Sequence, residues 1–196
     1  MKGEKMARKK TFTQAELYQA THDLILKVGY ANFTFQLLSK ELDITRTGLY
    51  KHFSNKDELL NAYLNAKLEE VVEQVETTQW PTDYLQKLDG VIDLVFGYAE
   101  THQISSMVPT QKWTKENEND PNVIKSKDLH VRFFGFIQEA IATGTKEGYL
   151  NSDIPPIVII ETIFHIINIP NQAQLSNAQR LYYVKKMLFE GILKQN

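Results

Sequence analysis

Residues 34–60 read TFQLLSKELDITRTGLYKHFSNKDELL, and the folding of this stretch decides how the rest of the chain is read. Thr34 and Thr45 are helix-capping residue types, and each precedes a short apolar pattern, so helices are predicted over 35–42 and 46–53. Little more than Asp43 and Ile44 joins them, which is helix–turn–helix spacing, and Asp43 can take a tight left-handed turn without a glycine. Leu38, Leu42, Ile44, Leu49 and Phe53 form the expected small core, with Leu49 and Phe53 four apart on one face. Around the other side lie Arg46, Thr47, Tyr50 and Lys51. In such a unit the second helix enters the major groove of DNA with its N-terminal residues at base edges. A small residue such as Gly48 lets the backbone come close to DNA, while hydroxyl, phenol and ammonium groups suit phosphates.

Helix signals continue on both sides of this stretch, and strand alternation is almost absent. Upstream, Thr13 with Glu16 has capping-box spacing; Ala15, Leu17, Ala20, Leu24 and Val28 make a helical stripe, and Gly29 ends it. Downstream, Ser54 with Asp57 opens a long helix to about Thr77. Further helices are expected over 83–102, 123–143, 155–169 and 178–193. A short helix or turn near 104–110 and an exposed loop ending at Pro121 separate the first two of these. Asp153 is the expected cap of the 155–169 helix, with Pro155 and Pro156 in its first turn, and Pro170 stops it. The fold class is therefore all-α: an N-terminal three-helix domain, residues 1–56, followed by a larger helical domain, residues 57–196.

Charge divides the chain at the same place. Residues 1–56 hold ten Lys or Arg against five Asp or Glu, whereas residues 57–196 hold 12 against 19, although the whole 196-residue chain is only −2. A basic N-terminal quarter on an acidic body points to a polyanionic partner for that quarter. The tail MKGEKMARKK adds to the basic charge, and either Met1 or Met6 is a plausible start. There is no cysteine, which excludes disulfides, thiolate metal sites and a thiol nucleophile. No signal-like or membrane-spanning apolar run is present, so a cytoplasmic protein with no membrane partner is expected.

The segment 34–60, and LYKHFSNKDELL within it above all, resembles the DNA-binding signature of the TetR family of bacterial transcriptional repressors. About 50 residues carry the resemblance; the remainder agrees in length and helical character. Two departures stand in it: Leu42-Asp43-Ile44-Thr45 replaces the family's usual Ala-Gly-Val-Ser, and Thr47 stands where glycine is common, with Gly48 after it. The resemblance implies roles residue by residue. Thr34 places a hydroxyl on a phosphate, and Gln36 is a weaker base-edge candidate. Thr45 caps the second helix and reaches a phosphate. Arg46 and Thr47 are the base-reading candidates, and arginine suits guanine, where it bonds O6 and N7 together. Gly48 gives close approach. Tyr50 and His52 bind or buttress the backbone, Lys51 is either a DNA contact or a solvated lysine, and Lys56 meets a phosphate at the start of the next helix.

For the body the resemblance implies a small-effector cavity and a homodimer interface. Phe96, His102, Met107, Trp113, His130 and Phe134 are the candidate lining, and each also reads as ordinary core or surface. Within 157–169 only Glu161, Thr162, His165 and Asn168 are polar, so this helix must be buried nearly all round, against its own core and a partner. Ile163 and Ile167, with Leu181, Val184 and Leu188 of the last helix, are the expected dimer residues. No phosphate-cradling glycine loop, paired-histidine metal spacing or catalytic constellation is found; Glu161 with His165 is the one acid–imidazole pair, and it lacks a third member. The expected function is a non-enzymatic, cofactor-free repressor on a palindromic duplex operator, released by a small apolar or aromatic effector. The alternative is the same fold docking another protein without an effector.

Overall fold

Gly29 ends the regular part of the first helix, as its sequence position predicts. In a computed structural model describing residues 12–109, 117–166, 169 and 171–193, α1 runs Gln14–Asn32. Thr13 caps it, with the reciprocal Glu16 bond in place. Gly29 takes φ 73°, a left-handed conformation that costs glycine no Cβ clash, and one more turn follows the break to Asn32. Phe33 then returns its N–H to the carbonyls of Gly29 and Tyr30. Ala15, expected on the apolar stripe, is exposed, while Leu17, Leu24 and Ile25 are buried.

The helix pair follows as α2, Phe35–Glu41, and α3, Arg46–Tyr50. Thr34 and Thr45 cap them, each hydroxyl accepting from the amide three residues on, both at 3.2 Å. Asp43 holds φ 53° in the turn, and Ile44 donates to Ser39 at 2.9 Å. The second helix is shorter than its sequence pattern, ending in looser turns through His52 and Phe53. The long helix α4, Lys56–Thr77, is capped one residue later than expected: Asn55 Oδ1 accepts from the Glu58 amide, and Glu58 reaches back to the Ser54 amide.

Compact packing divides the chain into two units. The described residues of 1–64 and 104–112 make one, and those of 65–103 and 113–196 the other. In the first unit, Leu38, Leu49, Leu59, Leu60 and Tyr63 are fully buried. The Tyr63 ring meets the Tyr18 ring edge-on, and its hydroxyl shares a 2.6 Å hydrogen bond with His22.

In the second unit the expected 83–102 helix breaks at Tyr98, giving α5, Tyr84–Gly97, and α6, Ala99–Met107, the last turn of which belongs to the first unit. Tyr98 leaves helical geometry at φ −101°, ψ 17°, directly after Gly97, a poor helix former. Then come α7, Pro121–Lys146, α8, Pro156–Ile166, and α9, Asn177–Ile192. Asp120 caps α7 and Ser176 caps α9. Before α8, Asn151 rather than Asp153 supplies the turn, taking the Asp153 amide on its side chain at 2.9 Å, and Pro155 receives the first helical bonds. Leu88, Val91, Ile92, Ile137, Ile141, Ile159, Ile163 and Leu188 form the shared core of α5, α7, α8 and α9. Exposed ion pairs Lys125–Glu69 and Arg132–Glu76 tie α7 to the C-terminal half of α4, and the Arg132 hydrogen bonds hold the Glu76 carboxyl below its usual range.

Gly144 is required by contact, not by conformation. A Cβ there would fall 1.9 Å from the Tyr84 hydroxyl, which donates to the Ala140 carbonyl while its ring stacks on Tyr149. Burial pushes this phenol up to about 12, so it stays a donor. Gly144→Ala should therefore destabilise the chain by about 1–3 kcal/mol, read as an earlier denaturant midpoint with an unchanged m-value. A midpoint equal to wild type would mean that Tyr84 moves aside freely.

Candidate DNA-binding interface

The interface begins from what the helix pair leaves uncovered. Leu49 is wholly buried, and around it Thr45, Arg46, Thr47, Tyr50, Lys51 and His52 are all exposed. Thr34 and Gln36 are exposed at the start of α2. The two cap hydroxyls accept from backbone amides, which leaves each O–H able to donate to a phosphate. The Tyr50 ring packs edge-on against buried Phe35, and His52 meets Phe12 edge-on at 5.4 Å. Both rings are thus braced while retaining exposed surface. Gly48 has helical geometry, and a Cβ on it would meet only the Thr45 hydroxyl at an ordinary 3.6 Å. Nothing inside the chain demands glycine there.

Lys56 has partners within its own unit. It is half-buried, its ammonium donates to the Tyr30 carbonyl at 2.8 Å, and it lies 4.0 Å from the centre of the Tyr30 ring. Tyr30 donates its hydroxyl to Asp57 at 2.7 Å, and this bond raises the phenol above its ordinary range. The sequence reading missed Tyr30; its only local signal is its place directly after the helix-breaking Gly29.

In the second unit the effector candidates separate. His102 and Phe134 both stack on Phe164, with ring centroids 6.3 and 5.3 Å away, and Phe133 meets the same ring edge-on at 5.8 Å. Phe164, hidden in the apolar 157–169 run, was not singled out from sequence. Phe96 is core, with the Arg180 guanidinium over its ring. His130 is exposed and bonds the Ser126 carbonyl within its own helix. Met107 belongs to the first unit, and Trp113 lies outside the described residues. A shallow cleft of about 410 Å³, lined by Leu85, Gln86, Asp89, Phe189 and Leu193, holds none of the six. Among the described residues no three acidic or imidazole side chains gather as metal ligands, and no helix is long and apolar enough to cross a membrane. Glu161 and His165 stand exposed on α8.

The expected dimer residues differ in how far the single chain covers them. Ile163 and Leu188 are buried in the chain's own core, and Leu181 and Val184 pack half-buried against that core. Ile167 lies outside the described residues. The large apolar side chains that α8 and α9 leave exposed are Ile157, Val158, Tyr182, Tyr183 and Met187.

A capped helix pair with a braced, basic and hydroxylic outer face, joined to a helical body, defines a helix–turn–helix protein of the nucleic-acid-binding class. Residues 17–63 match the family model described as bacterial regulatory proteins, tetR family. The match covers the stretch of the chain that holds the helix pair, and those residues are a TetR-family domain. Solved structures agree in fold. PfmR, a TetR family regulator from Thermus thermophilus, is 16% identical with a TM-score of 0.70, the alignment covering 95% of this chain and 100% of that one. FadR from Bacillus subtilis, solved with stearoyl-CoA, is 16% identical at TM-score 0.67, covering 92% and 100%. A regulator from Saccharomonospora viridis, solved with choline, is 18% identical at TM-score 0.66, covering 92% and 97%. No curated protein matches the chain.

Proposed function

We propose that this chain is a homodimeric repressor that binds a palindromic operator and leaves it when a small apolar or aromatic molecule occupies the body. The observation that carries the DNA part is the exposed set Arg46, Thr47, Tyr50 and Lys51 beside a glycine that no internal contact requires. Arg46 and Thr47 read base edges; Thr34, Thr45, Tyr50, Lys51 and His52 contact or brace against phosphates; Gln36 is a secondary base contact. Such a protein, acting on the chromosome of a bacterium, works in the cytoplasm.

The exposed apolar face of α8 and α9 is offered as the dimer surface. A two-fold interface uses one patch twice, and Tyr182 and Met187, each 61% exposed, are large groups to leave in water on a monomer. For the effector, the support is the stacking of the His102 and Phe134 rings on Phe164, with Phe134 still 39% exposed. Proteins of this fold have been solved with stearoyl-CoA and with choline, which supports a small-molecule effector here. Release follows if the effector binds the DNA-incompetent state more tightly than the competent one.

The reading is tested by selecting duplexes from a random pool and titrating the winner. Two inverted half-sites about one helical turn apart, or a multiple of it, are expected. Ligands from an aromatic and aliphatic panel should then weaken operator binding, with the operator weakening ligand binding by the same factor, typically about 5–150-fold. Ligands that bind the body and leave operator affinity untouched would remove the effector half of the reading.

A further inference from the structure

The α2–α3 pair is carried on a loop of chain whose two ends are tied together by side chains. Upstream of the pair stands Tyr30, in the last turn of α1; downstream stand Lys56 and Asp57, in the first turn of α4. The Lys56 ammonium bonds the Tyr30 carbonyl at 2.8 Å across 26 residues, and the Tyr30 hydroxyl bonds the Asp57 carboxylate at 2.7 Å across 27. The same ammonium lies 4.0 Å from the ring centre, so Tyr30 is held by its carbonyl, its ring face and its hydroxyl at once. Gly29 makes this possible. Its φ of 73° turns the end of α1 after the regular helix, and the Tyr30 carbonyl, released from a continuing helix, accepts from both the Phe33 amide and Lys56.

We propose that Tyr30, Lys56 and Asp57 form a positioning clamp that closes the loop bearing the recognition helix and fixes the orientation in which α3 meets a base edge. Lys56 then acts through Tyr30, and its charge is engaged within the chain instead of on a phosphate. This rests on the reading of α2–α3 as the DNA-binding pair. The geometry separates the two roles of Lys56 by their consequences. A phosphate contact adds to binding on every duplex and to the salt slope. A clamp adds to the difference between right and wrong duplexes, because loosening it lets α3 lose its register while the phosphate contacts persist.

The experiment uses the full chain, with Tyr30→Phe, which removes only the bond to Asp57, and Lys56→Met, which keeps the stem and removes the charge. Each is titrated with the selected operator and a scrambled duplex at several KCl concentrations. The expected result for both is a roughly three- to tenfold loss on the operator, a smaller loss on the scrambled duplex, and an unchanged salt slope. Lys56→Met losing equally on both duplexes with its slope lowered by about 0.9 per subunit, while Tyr30→Phe matches wild type, would overturn the clamp in favour of a phosphate contact. A DNA-free readout keeps the clamp separate from the assigned function: amides of residues 35–50 should exchange with solvent several-fold faster in Tyr30→Phe than in wild type. If they do not, the clamp fails even where DNA binding is found; if they do and wild type prefers no duplex, the DNA-reading assignment fails and the clamp stands. Should Lys56→Met fail to fold, Tyr30→Phe carries both readouts.

Discussion

Ile163→Glu should unfold the body. Ile163 is 1% exposed among Ile159, Ile160, Val91 and Leu188, and a carboxylate placed there has no described cation beside it in that core. An uncompensated buried charge costs about 3–5 kcal/mol, a large part of the roughly 5–15 kcal/mol that holds an average domain together. The loss should appear as collapse of the thermal transition and as aggregation, not as clean dissociation. The contrasting variant is Tyr183→Glu with Met187→Glu. Both residues are exposed on α9, at 50% and 61%, so the chain should fold with near-native thermal stability and sediment as a monomer. A soluble, native-like dimer for Ile163→Glu would show that this side chain is not the core residue its burial makes it. A dimer unchanged by the double substitution would move the interface away from this face.

Arg46→Ala should cost about 1–3 kcal/mol on the operator and much less on a scrambled duplex. Arg46 is exposed at the first position of α3, with Thr45 capping immediately before it. The first turn of a recognition helix is the part that reaches base edges, and a guanidinium there can bond guanine O6 and N7 together. Deleting it removes a contact that only the right base completes, so discrimination relaxes at one position of each half-site. Lys51→Met, one turn further along, should instead weaken both duplexes alike and lower the salt slope, as for a phosphate contact. Equal losses for Arg46→Ala on both duplexes would reassign Arg46 to the phosphates and leave the reading of bases to Thr47 or Gln36.

Much of the N-terminal unit's fold was legible because its signals are local. Thr13, Thr34 and Thr45 are caps whose bonds span three residues, and the turn at Asp43 needs only that one residue adopt a left-handed φ. Local chemistry also misleads by small steps. Ser54 and Asp57 have capping-box spacing, yet Asn55 and Glu58, one residue on, make the bonds, since the two pairs compete for the same helix start. Lys56 looked free because its partner lies 26 residues away, and no periodicity relates it to Tyr30. The body was legible in composition but not in orientation. An apolar run such as 157–166 says that most of its surface is covered; it does not say that Ile163 faces inward and Ile157 and Val158 face out. That choice is made by α5, α7 and α9 packing against it. Phe164 was concealed in the same way, one ring in a run of aliphatic residues until His102 and Phe134 came to lie on it.

The central claim is that α3 reads sequence. Its most direct measurement is a pair of equilibrium titrations of the wild-type chain, on the selected duplex and on a scrambled duplex of equal length, repeated from low to physiological salt. The expected result is a selected duplex bound about a thousandfold or more tightly at physiological salt, with that preference surviving as salt weakens both complexes. Equal affinities that fall together as salt rises would contradict it, leaving a basic surface that binds phosphates and reads nothing.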